Sequence, residues 1–160
     1  MTDIRAIQKE LRASGADAWL FYDIFRRDPI SYRILGLAEG LAKRRWFYLV
    51  PAYGSPRKLV HRIEAGMLDG LPGVKYRYAA QNELEAGLRR MLAGVRLVAM
   101  QYSPRGENPY VGTVDAGTVE MVRRHGIKVV SSAGLVQELE ARWSASQLKS
   151  HLAALRRLGS

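Results

Sequence analysis

Cysteine is absent from this chain, so it builds neither a disulfide framework nor a thiolate metal centre, a pattern that fits a reducing compartment. Long apolar runs are missing as well. No stretch approaches the roughly 18 residues a membrane-spanning helix needs, and no basic-plus-apolar leader precedes Ile4, so the expected location is the cytoplasm. Glycine-rich phosphate loops are lacking: neither Gly-x-Gly-x-x-Gly nor Gly-x-x-x-x-Gly-Lys follows an apolar run, which removes the cradle of dinucleotide and P-loop proteins. No Gly-x-Ser-x-Gly elbow occurs. Histidine is scarce, and His61, His125 and His151 each lack a second ligand at i+3 or i+4. They read as structural or solvated residues, and no cofactor is expected on this chain itself.

What is present is an ordinary folded composition with a strong charge bias. The 160 residues are 48% hydrophobic and 25% charged, enough for a single α/β domain. The formal net charge is +10, which raises the alternative of a basic module that binds nucleic acid or another anionic partner. The cations are scattered, however. Of the five Arg-Arg pairs, Arg89-Arg90, Arg123-Arg124 and Arg156-Arg157 fall in expected last helical turns, where they complement the helix dipole. Arg26-Arg27 and Arg44-Arg45 fall in expected loops, where that explanation does not apply.

The chain is organised around Asp17 to Leu37. Ala18 to Tyr22 is too short for an isolated helix and suits a strand buried on both faces. It runs into the charged loop Asp23 to Asp28, and Pro29 then opens a short helix with Ile30, Arg33, Ile34 and Leu37 on one face, ended near Gly36 or Gly40. Before this segment, Thr2 is placed to cap a helix striped by Ile4, Ile7 and Leu11 and closed by Gly15. After it, Trp46 to Val50 and the alternating Lys58 to Glu64 predict an antiparallel hairpin across Tyr53-Gly54-Ser55-Pro56. A helical turn is expected over Met67 to Gly73, an edge strand over Val74 to Tyr78, and a helix from Asn82 with Leu84, Leu88, Met91 and Leu92 inward. A buried strand Leu97 to Met100, an irregular loop Ser103 to Pro109, a helix Asp115 to His125, a strand Ile127 to Val130 and a helix Ala133 to Arg142 follow. A separate helix capped by Ser144 or Ser146 carries Leu148, Leu152 and Leu155 on one stripe, which needs a partner in this domain or another. The alternation indicates α/β with a mixed parallel and antiparallel sheet flanked by helices.

No constellation in these residues supports catalysis alone. Asp28 before Pro29 suits helix initiation and Asp23 suits a turn. Glu83 and Glu85 sit at a helix start, where negative charge is favourable. Tyr76 and Tyr78 alternate as half-buried strand residues do, in preference to a base-stacking platform.

Several local patterns together resemble the N-terminal domain of the creatinase, prolidase and aminopeptidase P family, the pita-bread metallopeptidases. They are the helix Asp3 to Ser14 followed by Gly-Ala-Asp-Ala-Trp-Leu at 15–20, Ser31-Tyr32-Arg33-Ile34-Leu35-Gly36, and the Arg-led hairpin Arg45 to Glu64. The last is Ile127 to Val130, the Leu135 to Arg142 helix, then Trp143-Ser144-Ala145-Ser146-Gln147-Leu148. The resemblance implies a ribonuclease H-like α/β domain over residues 1–143 and a linker helix over 144–160 leading to a catalytic domain. It implies a noncatalytic part of a Xaa-Pro dipeptidase or creatinase-like hydrolase, whose Mn, Co or Zn pair is held by Asp, Asp, His, Glu and Glu beyond residue 160. No catalytic or metal-ligating residue carries over. The partners implied are that catalytic domain, a second copy in a homodimer, and a peptide or small carboxylate substrate, with no membrane. Creatinase-like members hold a carboxylate with a basic residue at the hairpin's leading edge, a place that Arg44 or Arg45 matches. Arg guanidinium groups bind carboxylates bidentately, so Phe25, Arg26, Arg27, Arg44 and Arg45 are the candidate substrate-binding or interface residues. The other reading of the arginines is solvated surface charge or contacts to the catalytic domain that the resemblance implies.

Overall fold

The computed structural model describes residues 3–38 and 42–159. Thr2 as a cap and Gly40 as a helix end fall outside them. Helix α1 (Ile4–Ser14) is capped instead by Asp3, whose side chain accepts the Ala6 N–H at 3.0 Å. Gly15, at φ 82°, closes the helix in the left-handed conformation that glycine adopts without strain. Ile7 and Leu11 are buried and Ile4 is half-buried, as the stripe predicts.

Strand β1 (Ala18–Asp23) is buried at every position. Helix α2 (Pro29–Leu35) starts on Asp28 and stops at Gly36. Strands β2 (Trp46–Pro51) and β3 (Arg57–His61) form the expected antiparallel hairpin, with β2 lying antiparallel to β1 as well. Strand β4 (Val74–Tyr78) is an edge, helix α3 is Gln81–Met91, and β5 is Leu97–Met100. Helix α4 (Ala116–Arg123) is capped by Asp115, β6 is Lys128–Ser131, and helix α5 is Ala133–Leu158. The sheet order is β4-β3-β2-β1-β5-β6, and β2 alone runs against the other strands.

Two cores lie on the two faces of this sheet. One packs α1, α2 and the first half of α5 over Trp19, Phe21, Trp46 and Tyr48. The other packs α3 and α4 over Leu20, Phe47, Leu49 and Val98. Burial on both faces explains why β1 and β2 read as unbroken apolar runs. On the second face Gly87 brings α3 directly onto β3: a Cβ there would lie 2.6 Å from Leu59 Cδ1. A glycine inside a helix costs about 1 kcal/mol against alanine, and here it makes room for Leu59.

Three expectations are corrected. Lys58 to Glu64 is not one half-exposed strand, because β3 ends at His61 and residues Arg62–Glu64 form a 3-10 turn. Lys58 is buried, its Nζ donating to the carbonyls of Leu68 at 3.0 Å and Leu71 at 2.6 Å, and that burial lowers its pKa. Residues 65–71 are successive turns closed by bonds such as Met67 N–H to Glu64 O and Leu71 N–H to Leu68 O, with no helix among them. The chain from Ala133 to Leu158 is one helix of 26 residues, with Ser144 and Ser146 inside it.

Candidate functional site

The loop after β1 is built on two buried carboxylates. Asp23 ends the strand and is almost wholly buried, and it accepts the N–H of Arg26 at 2.9 Å, the N–H of Asp28 at 2.8 Å and the Tyr32 hydroxyl at 3.1 Å. These bonds hold Phe25 and Arg26 at φ 55° and 58°, two consecutive left-handed residues that are not glycine. Such backbone costs about 1 kcal/mol per residue or more and persists only where its surroundings impose it. Burial pushes the Asp23 carboxyl pKa up, against the downward pull of the bonds from Asp28, Tyr32 and Arg26.

Asp28 caps α2 through the N–H groups of Ile30 and Ser31, at 3.0 and 3.3 Å. Its other oxygen accepts Ser31 Oγ at 2.5 Å and Gln101 Nε2 at 2.6 Å. Gln101 in turn accepts Trp19 Nε1 at 2.8 Å and Ser132 Oγ at 2.9 Å. A buried network therefore locks the ends of β1 and β5, the start of α2 and the start of α5 together. Both aspartates keep the structural roles expected of them, as turn former and helix initiator.

The candidate arginines flank one end of the β1–β2 pair. Asp23 sits opposite Trp46 in register, and the Phe25 N–H donates to the Ala42 carbonyl at 2.8 Å. Their side chains then separate. The Arg26 guanidinium lies 4.4 Å over the Tyr32 ring, on the α2 face, and Arg27 lies 5.8 Å from the ring centre of the exposed Phe25. Arg45 turns to the other face, where Nη2 donates to Gln81 Oε1 at 2.6 Å and Nη1 lies 3.7 Å from Met121 Sδ. The backbone of Lys43 and Arg44 is fixed by Glu64, which accepts both N–H groups at 3.0 and 2.7 Å. The Tyr78 hydroxyl donates to the Arg45 carbonyl at 2.5 Å, and burial raises the Tyr78 pKa to about 12. Thus Phe25, Arg26 and Arg27 form one group, Arg44 and Arg45 another, with β1 and β2 between them.

Sequence reasoning overlooked the residues that hold these loops. Gln101, Glu64 and Gln81 each bond to a position far along the chain and Tyr32 reaches back nine residues to Asp23, and only the polar Gln101 directly after a buried strand offers a local signal. The histidines stand apart. His61 Nδ1 accepts the Ile63 N–H at 3.1 Å and its ring meets Tyr78 edge-on at 5.1 Å. His125 has its pKa lowered, first by burial and then by Arg89, which disfavours its charged form just beyond the end of α4. Among the described residues no group of three or more His, Cys, Asp or Glu side chains is placed to hold a metal ion. No helix among them is long and apolar enough to cross a membrane.

A cleft of about 650 Å³ lies between α1, β6 and the start of α5, with none of the candidate arginines lining it. Leu97, Ala99, Val130 and Leu135 form its apolar wall and Glu10 and Glu138 its rim.

No protein-family model matches the sequence, and no curated protein sequence matches it. Solved structures do match the fold. The creatinase/prolidase N-terminal domain of an X-Pro dipeptidase from Streptococcus pyogenes aligns with 84% of this chain and 96% of its own length, at TM-score 0.64 and 14% identity. The N-terminal domain of a Xaa-Pro dipeptidase from Lactobacillus brevis aligns with 86% of this chain and 99% of its own, at TM-score 0.63 and 11% identity. The prolidase from Pyrococcus horikoshii OT3 aligns with 85% of this chain at TM-score 0.58 and 14% identity, and the chain spans only 34% of that protein. The class defined is thus a six-stranded mixed α/β domain with helices on both faces. More narrowly, the chain has the fold of creatinase/prolidase N-terminal domains.

Proposed function

We propose that this chain is the noncatalytic domain of a metal-dependent hydrolase of the Xaa-Pro peptidase or creatinase type, and that it shapes access to an active site housed elsewhere. The observation that carries the reading is the extent of the fold match, which takes in nearly the whole of isolated N-terminal domains of Xaa-Pro dipeptidases. In this reading residues 1–143 form the accessory domain, residues 144–160 lead into a pita-bread catalytic domain, and a Mn, Co or Zn pair resides there. The full protein is cytoplasmic and homodimeric, and a peptide or small carboxylate is its substrate.

Within the accessory domain, Phe25, Arg26 and Arg27 are the presented group. The Asp23 turn fixes their backbone while leaving all three exposed, and a guanidinium binds a carboxylate terminus bidentately. Arg44 and Arg45, half-buried and tied to Glu64 and Gln81, form the opposite wall.

The chain incubated with Xaa-Pro dipeptides and Mn²⁺, Co²⁺ or Zn²⁺ is expected to give no turnover and no stoichiometric metal binding by calorimetry. Turnover, or tight stoichiometric metal binding, would overturn the reading. Titration with a Xaa-Pro dipeptide, followed by amide NMR, is expected to shift Phe25, Arg26 and Arg27 with a dissociation constant on the order of millimolar. Unchanged signals in that loop would remove the carboxylate role.

A further inference from the structure

Cations that lie scattered along the sequence converge at one end of the fold. Strands β1, β3, β4, β5 and β6 run the same way, so all of them begin at that end. Helices α1, α3 and α4 each lead into one of these strands and therefore finish there. Arg12 lies in the last turn of α1, Arg89 in the last turn of α3, and Arg124 directly follows α4. Arg57 opens β3, Arg96 precedes β5 and Lys128 opens β6. With strands about 4.8 Å apart, the steps from β3 through β2, β1 and β5 to β6 set Arg57, Arg96 and Lys128 along a row of about 19 Å. Arg89 and Arg124 flank it on the α3 and α4 face, both near enough to His125 to lower its pKa. Of the acids beside them, Asp17 accepts the N–H groups of Arg96 and Leu97 at 2.9 Å each, and Glu85 is paired with Arg124 at 3.1 Å.

A cleft of about 350 Å³ opens at this end, beside the turn between β2 and β3. Arg12, Tyr53, Arg57 and Gly94 are among its walls. Arg12 donates through Nη1 to the Ala52 carbonyl at 3.0 Å, and Arg57 through Nη1 to the carbonyls of Met91 and Ala93 at 2.5 and 3.0 Å. Both guanidinium groups are thereby held in place while Nη2 and Nε stay outside these bonds, and a fixed fork of that kind grips phosphate oxygens. Tyr53 is 77% exposed, with the Arg12 Cζ 5.4 Å from its ring centre. A bare aromatic face among anchored cations is the pairing that receives a base and its phosphate. Length and depth then select the ligand. The row outreaches a single phosphate group and fits a chain of them, whereas the cleft is too small to admit a duplex. A plain polyanion would make no use of the tyrosine.

We infer that this basic end of the sheet binds single-stranded nucleic acid, the row from Arg57 to Lys128 following the backbone and Tyr53 stacking on a base. The inference stands apart from the peptidase reading, whose arginine loops lie at the opposite end of β1 and β2. It is tested on the whole 160-residue chain by the fluorescence anisotropy of a short fluorescein-labelled oligouridine. The expected dissociation constant is about 10 μM at low salt, and log affinity should fall against log salt with a slope of about −3, as for about four neutralised phosphates. Arg96→Ala combined with Lys128→Ala should weaken binding about tenfold or more and make that slope shallower by about 1. Tyr53→Ala should weaken binding about tenfold and leave the slope unchanged. Arg5→Ala combined with Arg62→Ala removes the same charge at the other end of the sheet and should change binding less than about twofold. All five side chains are exposed, so circular dichroism and thermal midpoints should stay at the wild-type values. A dissociation constant above about 1 mM, a control pair as damaging as the loss of Arg96 and Lys128, or a Tyr53→Ala variant that binds like wild type each overturns the inference. In the last case inorganic polyphosphate should displace the oligouridine phosphate for phosphate, and the surface would read charge alone.

Discussion

The two arginine loops make an instructive pair. Each leaves the same end of β1 or β2, each carries two arginines, and each is held by one carboxylate that accepts two backbone N–H groups. Their anchors differ in depth. Asp23 is buried and bent around a left-handed turn, whereas Glu64 is half-buried and steadies the chain as it enters β2. A buried carboxylate has no water to replace its donors, and its donors have none to replace it. The first loop is therefore rigid because losing its anchor is costly; the second is positioned at much smaller expense and can readjust.

The largest effect expected from breaking this contrast comes at Asp23. Asp23→Ala strands two amides and the Tyr32 hydroxyl in a dry site, and should lower stability by about 3 kcal/mol or more in urea unfolding. Next comes a change that should strike both loops alike. Burial raises Tyr32 and Tyr78 to about 12, one beside Asp23 and the other beneath Arg45. Raised folded-state values mean that the stabilisation from keeping these hydroxyls protonated is complete below the ordinary value of 10.0. It is lost as pH climbs from there through about 12, by up to about 2–3 kcal/mol for each tyrosine. Urea midpoints measured across that interval should fall, and Tyr32→Phe or Tyr78→Phe should each flatten the decline.

Glu64→Ala should cost only about 1 kcal/mol, because water reaches the amides it leaves behind. The smallest effect, about 0.5 kcal/mol in the stabilising direction, is expected for Phe25→Gly, which relieves a left-handed residue at an exposed site. Thermal unfolding resolves both. If Glu64→Ala proved as damaging as Asp23→Ala, depth would not be what separates the loops.

Much of this architecture was legible in the residues themselves. Ala18 to Tyr22 and Trp46 to Val50 announce central strands because both their faces are covered, and Asp28-Pro29 announces a helix start because capping is local. The misreadings occurred where distant chain decides. Lys58 alternates like a surface residue, yet the turn at 65–71 turns carbonyls towards it and draws it inside. Ser144 and Ser146 look like caps, but a serine is only mildly unfavourable in a helix interior, and no proline or glycine stands beside them to stop α5. At the candidate site the loops and their arginines were visible, while their opposite orientations were not. Those depend on Tyr32 and Gln81, which belong to different helices on different faces.

Gly87 gives the arrangement a remote adjuster. It lets α3 rest on Leu59, and the first residue of that helix, Gln81, is the one that grips the Arg45 guanidinium. Adding a single methyl group at position 87 would force Leu59 to move or α3 to shift on β3, and any shift of α3 would carry Gln81 and the charge at the mouth of the hairpin with it, although the altered atom lies in the core.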